Sequence, residues 1–262
     1  MYKSVIKCII LIFMFVLGNI NCVASEKEIK IISLSPAVTE IIYAIGAQDN
    51  LIAVSTMCDY PYDVRNKNKA GNYFFVNKEK IIKYNPDYVF TDISSLGLAE
   101  EFKKTNIKFI YLKFETIDEI YKNIIHIGKR TKKEKEAAEL IKKIQKKILN
   151  LNKTKQKRIL YLIQTEPMIS AGSRSFINDV IIKSGNISVT SDLNTYYPVI
   201  TEEYAIKSNP DIIILNYGFK LDYLNKLFPK TKIITLTKEE SDIINRPGAR
   251  IYEAVKFFNK IN

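Results

Sequence analysis

At 262 residues, with 47% hydrophobic and 26% charged side chains, the chain has the composition of a folded globular protein long enough for two modest cores. Its three cysteines exclude a disulfide-stapled scaffold. Its single histidine, His126, excludes a multi-histidine zinc site and any serine–histidine–aspartate triad built elsewhere in the chain. The net charge of +12 raises the question of nucleic-acid binding, which the placement of that charge answers below.

In chain order, Lys3 and Lys7 precede the apolar stretch "CIILIFMFVLG" and the small residues of "CVAS". This is the layout of a secretory signal over residues 1–24, cleaved after Ala24 or Ser25, and it predicts an exported, periplasmic protein. The rival reading acylates Cys22 as a lipid anchor, although Asn21 stands where such signals want a small residue. Cys8 and Cys22 fall in or at the end of this leader, so only Cys58 is clearly mature, and it reads as packed rather than nucleophilic. A first lobe over 26–128 opens with a strand at Ile29–Leu34, a helix from Ser35-Pro36 to Gly46 and a strand at Leu51–Val54. Serine before proline at a helix start and glycine after its last turn are paired boundary signals.

Residues 129–158 carry 13 Lys and Arg against 3 Glu, so the rest of the chain after the leader is neutral. Ala137, Leu140, Ile141, Ile144, Ile148 and Leu151 recur there at helical spacing. The segment predicts a long surface helix over about 130–152 with a narrow apolar stripe and a solvated lysine face. No aromatic side chains interleave with the lysines, which argues against nucleic acid as a partner. His126, in "YKNIIHIGK" just before it, reads as an ordinary helical residue.

A second lobe over 155–262 opens with the strand "KRILYLIQ", a loop "TEPMISAGSRS" and a helix from about Phe176. Within it, "KSNPDIII" at 207–214 repeats "KYNPDYVF" at 83–90 with an offset of 124, and the same offset pairs Glu79 with Glu203, Ile82 with Ile206 and Tyr73 with Tyr197. Each copy reads as a short helix stopped by Asn-Pro and followed by a buried strand. The fold class that follows is α/β: two Rossmann-like lobes with parallel sheets, joined by a single long helix, with a ligand cleft where the carboxyl ends of the strands face each other.

No glycine-rich dinucleotide fingerprint, Walker loop or titratable cluster is present, so no catalytic residue is assigned and no enzyme is indicated. An α/β enzyme working in the cleft would need such a cluster. Aromatic residues at strand and loop ends remain: Tyr73 and Phe74, Tyr196 and Tyr197, Tyr217 and Phe219. Side chains with a broad apolar body and one polar tip suit a large flat amphipathic ligand. The repeat singles out Tyr73 and Tyr197 as a pair able to close on it from both lobes. Glu79 and Glu203, at matching helix starts, are either complements to the helix dipoles or an acidic pair offered to a partner.

"IISLSPAVTEIIYAIGA", "AVSTMCDYP", "EKIIKYNPDYVF" and "NRPGARIYEAV" together resemble the periplasmic substrate-binding proteins of ABC importers for cobalamin, haem and ferric siderophores, the class whose two lobes are joined by a helix. The resemblance spans essentially the whole chain after the leader, and "SLSPAVTE" with "CDYP" leans toward the cobalamin-binding branch. It implies a monomeric, non-enzymatic carrier with no permanently bound cofactor and no resident metal. Its transported ligand would be a cobalamin-like corrinoid or an iron chelate, and its partner an ABC permease dimer. It further implies that Tyr73, Phe74, Tyr197 and Met57 pack on the ligand and that Arg246 pairs with one of its polar substituents. Glu79 and Glu203 would dock on the two permease subunits. The chain departs from the cobalamin branch in having no tryptophan and no second-lobe disulfide. Tyr73 is also where some haem-binding relatives supply an iron-ligating phenolate, so haem is the alternative ligand and a ferric siderophore the third.

Overall fold

The computed structural model describes residues 28–71, 75–92, 98–152, 154–219 and 222–261. The leader expected over 1–24, Cys22 with it, and the aromatic pair Tyr73 and Phe74 lie outside these. The elements are β1 (Ile31–Ser33), α1 (Pro36–Ala44), β2 (Leu51–Val54), β3 (Asn68–Lys69), α2 (Lys78–Tyr84), β4 (Tyr88–Asp92), α3 (Leu98–Glu101), β5 (Lys108–Leu112), α4 (Ile117–Thr131) and α5 (Glu134–Leu149). The second half follows with β6 (Arg158–Thr165), β7 (Met168–Ser170), α6 (Phe176–Lys183), β8 (Ile187–Ser188), α7 (Glu202–Lys207), β9 (Ile212–Leu215), α8 (Asp222–Leu227), β10 (Lys232–Thr235), α9 (Lys238–Asn245) and α10 (Ile251–Lys260).

The first sheet runs β3-β2-β1-β4-β5, all parallel. The second runs β10-β9-β6-β7, with β8 also on β6. Its one antiparallel pair, β6–β7, departs from the expected loop. Chain reversal at Glu166-Pro167 lays Met168 against Thr165, and a three-residue strand is too short to show alternation in the sequence.

Strand residues alternate between two packing layers, as a period of two requires. Ile31, Phe90, Ile159, Tyr161, Ile212 and Ile214 face one central core that both lobes share. Ile32 and Val89 face an outer core covered by α2 through Ile81, and Leu160, Leu162 and Ile213 face another covered by α7 through Ala205. The basic helix runs over Glu134–Leu149 as α5, with Ala137 and Ile144 buried and Leu140, Ile141 and Ile148 packed on the central core. Its start is set by Lys132, which ends α4 in a left-handed conformation (φ 56°). A Cβ on Gly128 would lie 2.7 Å from that of Ala137, so glycine permits the close packing of α4 on α5 at this corner.

The repeated Asn-Pro-Asp has a structural cause. Asn85 and Asn209 end their helices in left-handed geometry (φ 45° and 44°), where asparagine is tolerated and the following proline bars continuation. Asp87 then accepts from the Lys30 amide (3.0 Å) and Asp211 from the Arg158 amide (2.8 Å), strapping each helix-to-strand turn to the start of its lobe's central strand. The caps match as well: Asn77 Oδ1 accepts from Lys80 N, and Thr201 Oγ1 from Tyr204 N. Asp211→Ala should cost about 1–2 kcal/mol, the size of one charge-assisted hydrogen bond. An unchanged urea midpoint would remove the strap from the account.

Candidate ligand cleft

The carboxyl ends of the strands in the two lobes open onto a cavity of about 330 Å³. Ser35, Pro36 and Ala37 reach it from the β1–α1 turn, and Asp92 from the end of β4. Across from them stand Phe176 at the start of α6, Tyr197 in the loop before α7, and Asn245, Arg246 and Pro247 between α9 and α10; Phe114, just before α4, completes the wall.

Polar groups in and under this wall are held in place. Asn245 Nδ2 donates to Asn216 Oδ1 (2.8 Å) and to the Ser241 carbonyl (2.7 Å), and the Tyr161 hydroxyl lies 2.5 Å from Asn216 Oδ1 and 3.0 Å from Asn245 Oδ1. Beneath Ser35, Thr39 Oγ1 donates to Ser33 Oγ (2.8 Å) and lies 3.2 Å from Cys58 Sγ. Burial pushes the Cys58 thiol up to about 11, so it is a packed thiol and not a nucleophile at neutral pH.

Beside the cavity an ionic clasp joins the lobes. Glu40, with a side chain only 1% exposed, points out of the otherwise apolar face of α1 and takes a two-pronged bond from Arg250 (2.8 and 2.7 Å). Arg246 reaches the same carboxylate at 3.3 Å, Asp59 at 2.7 Å and Asp242 at 2.9 Å. Lys238 closes the rim, 2.9 Å from Asp242 and 3.5 Å from Asp59. Burial pushes the Asp59 carboxyl up, but the Arg246 guanidinium bonded to it, with Lys238 nearby, outweighs burial and holds it below its ordinary value. The approach to α4 is fixed from the second lobe: Tyr196 donates its hydroxyl proton to Glu115 just before α4, and Arg174 lies 4.4 Å over the Tyr196 ring.

The site residues expected from the sequence are distributed unevenly. Tyr197 and Arg246 share the cavity wall. The Arg246 guanidinium, expected to meet a ligand, is bonded in this structure to three carboxylates. Met57 is 54% exposed in the turn after β2 and is not among the wall residues. Tyr73 and Phe74 fall outside the described residues. Glu79 and Glu203 sit in the exposed first turns of α2 and α7, and Glu203 pairs with Lys207 at 2.7 Å. Sequence reasoning missed Asp92, Asn245 and the clasp. Two signals pointed to the clasp: a lone glutamate inside the largely apolar helix "PAVTEIIYA", and two arginines four positions apart in "NRPGAR". Among the described residues no group of His, Cys, Asp and Glu is arranged to hold a metal ion, and no helix is long and apolar enough to cross a membrane.

A family model described as "Periplasmic binding protein" matches residues 31–256, both sheets and the cleft between them. The chain belongs to this periplasmic binding protein family. Its members act outside the cytoplasm as binding components of transport and not as enzymes. The chain is 29% identical over 257 residues to an uncharacterized ABC transporter substrate-binding lipoprotein of Bacillus subtilis, covering 91% of this chain and 81% of that one. It is 28% identical over 244 residues to a vitamin B12-binding protein of Vibrio parahaemolyticus, covering 88% of each. Among solved structures, a possible iron-binding periplasmic solute-binding protein of Staphylococcus epidermidis superposes with a TM-score of 0.75 at 29% identity, covering 88% of this chain and 96% of that one.

Proposed function

We propose that this periplasmic binding protein captures a cobalamin-like corrinoid and delivers it to the membrane subunits of an ABC importer. The observation that carries the choice of ligand is the charge of the cleft. Asp92 is a carboxylate in its wall, and the one cation there among the described residues, Arg246, is already bonded to Glu40, Asp59 and Asp242. A haem with two propionates, or an anionic ferric siderophore, would bring negative charge to a wall whose one cation among the described residues is already bonded to carboxylates. A corrin ring bears neutral carboxamides, whose carbonyls suit the Tyr197 hydroxyl and whose N–H groups suit acceptor oxygens of the wall.

A corrinoid is larger than the 330 Å³ hollow, so this reading has the macrocycle held by one edge, with the rest in the open mouth of the cleft. Tyr197 packs on it, and Tyr73, Phe74 and Met57 cover its first-lobe side. Arg246 acts chiefly as a lobe-to-lobe tie whose edge lines the site. The similarity to an iron-binding protein of Staphylococcus epidermidis supports an iron chelate as the second reading.

Calorimetric and absorbance titration of the chain from Glu26 onward should give a saturable one-to-one complex with cyanocobalamin and binding of haemin at least tenfold weaker. A tight haemin complex with the spectrum of phenolate-ligated iron, lost in Tyr73→Phe, would replace the corrinoid by haem.

A further inference from the structure

The positive charge of this protein is gathered around one helix. Residues 129–158 carry 13 Lys and Arg against 3 Glu, while the rest of the chain after the leader is neutral. Elsewhere exposed lysines have a carboxylate one helical turn away, Lys207 in Glu203, Lys238 in Asp242 and Lys256 in Glu253. On α5, Lys135, Lys142, Lys143 and Lys146 are all exposed, and among the described residues none of the four enters an ion pair.

Folding does not call for this arrangement. Lys142 stands four positions before Lys146, and Lys143 four before Lys147, a spacing at which like charges repel across the helix turn. Lys146 and Lys147 in the last turn complement the helix dipole, but Lys135 lies in the first turn, where a cation is disfavoured. The helix is held instead by its opposite face, through Ala137 and Ile144 in the central core. Leu149 falls three positions after Lys146 and seven after Lys142, on their face, and is 83% exposed, more than any other large hydrophobic side chain among the described residues. The cationic surface continues onto α10, where the Lys147 ammonium lies 4.7 Å and that of Lys256 5.7 Å from the Tyr252 ring.

We infer that this face of α5 is a peripheral membrane-binding surface for a bilayer that carries anionic phospholipid headgroups. Unpaired lysines spread along a helix roughly 24 Å long make a diffuse field of one sign, which matches a plane of many phosphates better than a single compact acidic site. Each lysine brought against an anionic bilayer strengthens attachment about fivefold. The long lysine stems let the ammonium groups reach phosphates while Leu149 beside them enters the headgroup region. Nucleic acid is the poorer match, because no aromatic side chains interleave with the lysines to stack on bases. The protein acts outside the cytoplasm, beside a membrane surface. No residue of α5 lines the ligand cavity, so the inference is independent of what the cleft binds.

The test is flotation of the chain from Glu26 onward with vesicles of phosphatidylcholine alone or with about 30% phosphatidylglycerol. The wild-type protein should bind the anionic vesicles at least about thirtyfold more strongly than the neutral ones, a preference that shrinks as salt is raised. Lys142→Gln with Lys143→Gln and Lys146→Gln should weaken that binding about 100-fold, three factors of about five. Its melting temperature should stay level or rise, since repulsion along the helix is relieved. Leu149→Ser should weaken binding about fivefold. The control removes the same charge elsewhere: Lys104, Lys83 and Lys226 are exposed on segments that cover the outer cores, away from α5. Lys83→Gln with Lys104→Gln and Lys226→Gln should leave vesicle binding within about threefold of wild type. Equal flotation with neutral and anionic vesicles overturns the inference, and so does a control that loses as much as the α5 variant, since net charge alone would then be responsible. Wild-type protein that binds heparin or duplex DNA but not the vesicles also overturns it, by giving the face to another polyanion.

Discussion

Glu40→Ala should lower the unfolding free energy by about 3 kcal/mol and the melting temperature by roughly 10 °C, the largest stability effect expected of any single change described above. The carboxylate is almost wholly shielded, and it alone takes the two-pronged bond from Arg250. Its removal leaves that guanidinium, 15% exposed, beside an apolar helix and stacked 4.0 Å over the Tyr60 ring, with no other carboxylate partner among the described residues. Breaking a buried pair from one side is costly because the other charge stays behind unpaired. Arg246 is less affected, since Asp59 and Asp242 still hold it. Glu40→Gln keeps the shape and one acceptor, so its effect should be about half as large. Urea and thermal unfolding measure both variants, and a loss below about 1 kcal/mol for the alanine would show that the clasp contributes little. The central core shared by the lobes predicts that unfolding remains one transition in either variant.

The fold was legible because its signals are local. Asn-Pro-Asp, a strand of four isoleucine-class residues and a capped helix all lie within about fifteen positions, and their repetition gave two lobes without any alignment. The apolar stripe of α5 could be counted directly, but the helix runs over 134–149 where about 130–152 was expected, and its start was missed because the left-handed Lys132 has no sequence mark as plain as a glycine. The cleft was less legible. Its clasp joins Glu40 to residues 206 and 210 positions away, a distance over which spacing carries no information. Asp92 and Asn245 are single polar residues at element ends, alike in sequence to dozens of others. Arg246, expected to meet a ligand, lines the cavity, but its bonding to three carboxylates depends on how the lobes are set against each other, which no periodicity encodes.

Tyr197→Ala should weaken cyanocobalamin binding about 30- to 100-fold, which corresponds to roughly 2–3 kcal/mol. Tyr197 is half exposed on the cavity wall, so part of its ring surface is open to a ligand. Its backbone is fixed in advance. The Pro198 carbonyl accepts from Ser170 N (3.0 Å), the Tyr196 carbonyl from Gly172 N (3.0 Å) and the Thr195 carbonyl from Arg174 N (3.3 Å). A Cβ at Gly172 would come within 2.3 Å of the Thr195 carbonyl oxygen, so glycine is required for this approach. A ring held this way loses little freedom on binding, and preorganisation of that kind converts contact area into affinity efficiently. Burial, with Asp92 and Tyr196 nearby, raises the Tyr197 phenol above its ordinary value, so it stays protonated at neutral pH and can donate a hydrogen bond. Tyr197→Phe separates the two contributions: near wild-type affinity would assign the effect to packing area, whereas a loss approaching that of alanine would assign it to the hydroxyl. Alanine that binds cyanocobalamin within threefold of wild type would place the ligand away from this wall.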